Sequence, residues 1–165
     1  MDISIKSLFQ HYLKQLEIIV TKIPQDDFSA SLTDDMFSLA MNAKIATNFA
    51  LRGYCPLLGL DVVSFDSEGV DKTAVLEQIS KTLNYLDESR EVNNLNSQIT
   101  VTDKAGFAEI NLSQPAFIHQ YILPNFYFHI SMVYAIAKSK GVVLSKADFD
   151  GLHSYPSGFS FVQQP

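Results

Sequence analysis

The chain has a single cysteine, Cys55, among 165 residues. It can form no intrachain disulfide, and a zinc site of four thiolates is excluded. Tryptophan is absent, and glycine and proline number only 7 and 6, which excludes collagen-like and low-complexity chains. No run of basic residues occurs. The 12 Lys and Arg against 18 Asp and Glu leave a formal net charge of −6, so the chain as a whole does not attract nucleic-acid phosphates. Apolar stretches are interrupted by Lys, Asn, His or Pro well before the roughly eighteen residues that a membrane span needs. The opening residues, MDISIKSLFQ, lack the basic leader and long apolar run of a secretion signal. A cytoplasmic protein with neither membrane nor nucleic-acid partner is expected.

What is present is a core. Apolar residues make up 47% of the chain and charged residues 18%, with 12 Phe and 7 Tyr, enough for one well-packed domain. Ile5, Leu8, Phe9, Tyr12, Leu16, Ile19, Val20 and Ile23 recur at three and four residues, which predicts a helix from about Ser4 to Lys22, stopped by Pro24. A second helix is predicted after a cap at Ser31 or Thr33, with Asp34 and Asp35 in its first turn. Met36, Leu39, Ala40, Ala43, Ala46 and Ala50 form its inner face, and Gly53 is its expected C-cap. Cys55 to Leu60 then reads as an apolar loop. A third helix spans about Val70 to Glu88, with Leu76, Ile79, Leu83 and Leu86 on one side.

The period changes near residue 98. Ile99 and Val101 alternate with Thr100 and Thr102, Asp103 to Gly106 reads as a turn, and Phe107 to Leu112 alternates again, so a small hairpin is expected. Ser113 and Pro115 open a fourth helix that runs to about Lys140 and ends at Gly141. Pro124, well inside it, lacks an N–H, so a bend or interruption that frees the Gln120 carbonyl is predicted. Ser145 and Asp148 suggest a short capped turn, and the tail beyond Gly151 has no period. The expected architecture is all-α, a four-helix bundle with a hairpin between helices 3 and 4. A bundle domain occupies 1–151 and an irregular tail 152–165.

Leu123-Pro124-Asn125-Phe126-Tyr127-Phe128-His129, with Tyr134-Ala135-Ile136, Gly141-Val142, the stretch Lys146 to Gly151, and Asp35-Met36-Phe37, resembles an uncharacterised bacterial and fungal family with an LPNFFFH-type last helix. That family is a branch of the DinB/YfiT-like metalloenzyme superfamily. The resemblance implies a homodimer. It also implies a metal position formed by one histidine on the second helix and two, four residues apart, on the fourth. In this chain those positions fall on Asn42, Asn125 and His129. A neutral amide oxygen is a much weaker ligand for zinc or nickel than an imidazole, so no tightly held metal is expected.

Each of these residues has a plain reading beside the functional one. His129 is either a proton-transfer residue or weak ligand, or a half-buried histidine bonded to a neighbour. Asn125 either orients His129 or a ligand, or satisfies the carbonyl freed by Pro124. Asn42 is either part of a cleft or a polar partner inside the bundle. Tyr127, in an aromatic cluster that reads as core, offers a hydroxyl to a pocket. His11, His119 and His153 have no partners apparent in sequence, Cys55 reads as an inert buried thiol, and the Asp26/Asp27 and Asp87/Glu88/Glu91 groups read as solvated. No Glu-x-x-His repeat and no phosphate loop occurs. Two functions remain. One is a bundle, ligand-binding or structural, with a degenerate metal position, its cleft lined by Asn42, Asn125, Tyr127 and His129 and suited to a small polar molecule. The other is a metal-dependent enzyme of the superfamily type, a low-molecular-weight thiol transferase or isomerase that uses zinc or nickel. For either, His129 is the one catalytic candidate.

Overall fold

The first apolar stripe folds as α1 (Ile5–Lys22), capped by the Ser4 hydroxyl, which accepts from the Ser7 N–H. The structure is a computed structural model that describes residues 3–162. Met1, Asp2 and the last three residues of the expected tail, through Pro165, lie outside the described residues. Phe9, Leu13, Leu16, Ile19 and Val20 are buried along α1. A 3-10 turn (Gln25–Ser29) follows Pro24 and buries Phe28.

The second helix, α2 (Leu39–Leu58), begins later and ends later than the sequence suggests. Its cap is Ser38, whose hydroxyl accepts from the Met41 N–H. Thr33 instead donates to the Asp35 carboxylate at 2.5 Å, and the Met36 N–H bonds the Thr33 carbonyl. Those residues therefore build a local turn, and Met36 is exposed rather than on the inner face. Gly53 does not end the helix. Its missing Cβ admits the last helix, since a Cβ there would stand 2.5 Å from Ile122 Cγ2 and 3.2 Å from Phe9 Cζ. The helix continues through Pro56, so the expected loop from Cys55 is helical as far as Leu58. It stops at Gly59, whose φ of 72° suits glycine. Gly59 N–H bonds to the Pro56 carbonyl and Leu60 N–H to the Cys55 carbonyl, which together satisfy the orphan helix end.

An extended strap leads to α3 (Lys72–Glu88), capped by Asp71. The hairpin pairs β1 (Thr100–Ala105) antiparallel with β2 (Ala108–Ser113), with Ala105 opposite Ala108. The turn is therefore Gly106-Phe107, two residues later than the sequence suggests. Gly106 supplies the positive φ, 59°, that a two-residue hairpin loop requires, while Asp103 and Lys104 stay in the strand. Val101 alone of the strand residues joins the buried core.

The last long helix is built in three pieces: α4 (Gln114–Ala116), a π-helical segment (Phe117–Ile122) and α5 (Leu123–Ser139). Pro124 does not break the helix. The interruption is a change of register just before it, where the Leu123 N–H reaches back to the Ile118 carbonyl. A short α6 (Lys146–Asp150) carries a capping box from Ser145 and Asp148 and ends at Gly151. Residues 152–162 form no helix or strand. The result is an all-α bundle in which α2 packs on α3 and most extensively on α5, α1 packs on α3 and α6, and the hairpin lies between the third and fourth helices. Among the described residues no helix is long and apolar enough to cross a membrane.

Candidate functional site

At the α2–α5 contact, His129 Nδ1 lies 2.8 Å from Asn42 Oδ1. The amide of Asn42 can be oriented only one way, because its Nδ2 donates to the carbonyls of Phe37 (3.1 Å) and Ser38 (3.0 Å) at the start of α2. Oδ1 must then accept, so His129 carries its proton on Nδ1 and keeps the Nε2 lone pair free. Asn42 is 2% and His129 8% exposed. Burial lowers the His129 pKa below its ordinary 6.5, so the ring is neutral at physiological pH. Among the described residues, Gln78 Oε1 is the one fully buried side-chain polar atom without a partner. The free Nε2 is therefore within reach of solvent.

Aromatic rings fix the imidazole plane. Phe49 stacks on it with centroids 5.9 Å apart and planes at 18°, and Phe128 meets it edge-on at 5.1 Å. The Arg52 guanidinium lies over Phe49 (5.1 Å) and Tyr121 (5.6 Å). It also holds the hairpin through Asp103, with Nε to Oδ2 at 2.6 Å. Asn125, half-buried one turn before His129, donates from Nδ2 to the Tyr121 carbonyl at 2.7 Å. The carbonyl it serves belongs to the π segment and is not that of Gln120. Its Oδ1 remains as an acceptor on the His129 face of the helix, since residues four apart share a face.

Tyr127 lies elsewhere. Two residues along a helix turn the side chain by about 200°, and Tyr127 faces α1, edge-on to Tyr12 at 5.0 Å. His11 does have a partner, the Asp150 carbonyl at 2.7 Å. His153 also has one, the Asp150 carboxylate. Cys55 is fully buried. One polar cluster carried no signal in the sequence. Lys44, 3% exposed, pairs with Asp66 at 2.8 Å and donates to the Ser67 and Gly69 carbonyls. Gln78 Nε2 bonds the Lys44 carbonyl and Asn48 Oδ1, both at 3.1 Å. A lysine among helix residues reads as a surface residue until the strap that covers it is known.

The donor set does not suit a transition metal. Catalytic zinc takes about three protein ligands from His, Cys or carboxylate. No group of three or more such residues placed to hold an ion occurs among the described residues. The amide oxygen of Asn42 is spent on His129, which leaves one imidazole nitrogen and the Asn125 amide.

Comparison with solved structures finds a DinB family member protein from Shewanella denitrificans, with TM-score 0.78 and 24% identity over 94% of each chain; that likeness shows the fold. No curated protein matches the chain. Residues 2–150 match the model of the family described as Domain of unknown function (DUF1993). With the match running from the start of the chain to the end of α6, the protein belongs to that family.

Proposed function

We propose that the α2–α5 face is a metal-independent binding site for a small polar molecule carrying an O–H or N–H donor. In this reading the chain sits in a branch of the DinB/YfiT-like superfamily whose metal position has become a hydrogen-bonded amide–imidazole pair. The observation that carries the proposal is the 2.8 Å bond between Asn42 and His129. It spends both groups on each other, fixes the tautomer and points the remaining lone pair outward. A ligand donor bonds Nε2, and Asn125 Oδ1 offers a second acceptor. Phe49 and Phe128 exclude water from one side of the imidazole, which strengthens the bond it makes. A cytoplasmic homodimer belongs to the same reading. The alternative, a metal-dependent thiol transferase or isomerase, asks for ligands that these positions do not supply, and among the described residues no carboxylate bonds His129 to orient it as a base.

Nitrogen-15 NMR of the His129 ring in the intact protein should report a proton on Nδ1 and titration below 6.5. Protein offered zinc or nickel should lose it to chelator. Near-stoichiometric, chelator-resistant metal that disappears in His129→Ala would overturn this reading in favour of the enzyme.

A further inference from the structure

The face of α5 turned towards α1 carries a second, independent feature. A cleft of about 470 Å3 opens between the first turns of α1, α5 and the tail, within the roughly 300–1,000 Å3 typical of small-molecule sites. Ile3, Leu8 and Leu152 supply apolar walls, and Tyr12, Tyr127 and His11 supply the polar groups. Ile3 and Leu152 are each 79% exposed, so an apolar rim stands in water at the mouth.

The polar groups are held in place. Tyr12 is braced edge-on by His11 at 5.0 Å and by Tyr127 at 5.0 Å, and leans on Phe149 at 5.8 Å. His11 Nε2 donates to the Asp150 carbonyl, since a carbonyl only accepts. No described protein group bonds the hydroxyl of Tyr12 or Tyr127, and neither is a buried orphan, so both are open to a ligand. Burial, aided by repulsion from Tyr12, pushes the Tyr127 phenol up to about 12. It therefore stays protonated and acts as a donor.

We propose that this cleft binds a small amphipathic molecule with an apolar body and one hydrogen-bond-accepting head, a carbonyl or a carboxylate. The body lies against Ile3, Leu8 and Leu152, and the head accepts from the Tyr12 and Tyr127 hydroxyls. This site shares no residue with the Asn42–His129 pair, so either proposal stands if the other fails.

The test is an amide-shift titration of the full chain with 4-phenylbutan-2-one, which has the head, and propylbenzene, which lacks it. Both should saturate and shift amides around residues 7–12 and 126–128. Tyr127→Phe keeps the ring and removes only the hydroxyl. It should weaken the ketone by about fivefold to tenfold, the worth of one neutral hydrogen bond, and leave propylbenzene unchanged. Ser7→Trp, at a solvent-facing position lining the same cleft, should block both probes while the fold, checked by circular dichroism, persists. The proposal is overturned by non-saturating titrations, by shifts confined to other regions, by equal affinity of both proteins for the ketone, or by unchanged binding in a folded Ser7→Trp protein.

Discussion

Asn42 makes three side-chain hydrogen bonds with one amide, two of them to carbonyls at the mouth of its own helix and the third to His129. Replacing it by leucine strands the His129 Nδ1–H in a site that is 8% exposed. The expected cost is about 1–3 kcal/mol, read as a lowered denaturation midpoint with an unchanged slope. His129 also gives the folded state a pH dependence. Its pKa is lowered by burial from 6.5, so below that value the unfolded chain binds the proton more readily than the folded one. The His129 contribution is therefore intact above about pH 6.5 and is lost as pH falls through the folded pKa. His129→Gln should flatten stability between pH 5 and 7 relative to the parent protein; a parallel curve would contradict the assignment. At this scale the sequence spoke through resemblance. Asn42, Asn125 and His129 stand out only through the ligand positions that the resemblance implies, whereas their bonding, amide to imidazole and amide to π-segment carbonyl, depends on how α2 and α5 pack. Lys44 and Tyr127 were opaque for a common reason. What a side chain does depends on which element crosses it, and the strap and α1 come from distant parts of the chain.

At the scale of elements, periodicity locates α1, α2, α3 and the last long helix, and the end of α2 departs from expectation where tertiary contact overrules a local stop signal. Gly53 reads as a helix C-cap, yet the glycine is needed mid-helix for the close approach of Ile122. Gly53→Ala should gain up to about 1 kcal/mol of helix propensity and lose more. The new Cβ would stand 2.5 Å from a methyl of β-branched Ile122, which has little rotamer freedom to move away. A net loss of about 1–3 kcal/mol is expected. Adding Ile122→Ala to Gly53→Ala should recover part of it, and a double-mutant cycle that shows no coupling would sink the explanation. Pro124 reads as a break in the helix, but α5 runs through it and the change of register lies just before it. The chain accommodates it by widening the preceding turns into a π segment, whose Tyr121 carbonyl is then bonded by the Asn125 amide. Such segments are often found at functional sites, and this one carries Tyr121 and leads into Asn125.

Across the whole molecule, long connections are fastened by a few charged side chains. Lys44 holds the strap between α2 and α3 through Asp66 and two carbonyls, and Arg52 holds the hairpin through Asp103. Lys44→Met should cost about 2 kcal/mol, the scale of hydrogen bonds to a charge reduced by relief of ammonium burial. Amide exchange should accelerate across residues 60–70 and leave α1 protected. Assembly is the remaining property at this scale. The resemblance implies a homodimer, and the surface leaves material for one. Phe37 is 56% and Phe128 52% exposed, next to the residues that hold Asn42 and His129. Burying one such ring is worth about 1.5–3 kcal/mol, and a twofold contact counts each ring twice. Light scattering over a dilution series should therefore report a species of about twice 18.4 kDa that dissociates at low concentration. An 18.4 kDa particle at every concentration would remove the dimer and leave Phe37 and Phe128 as part of the rim of the His129 site.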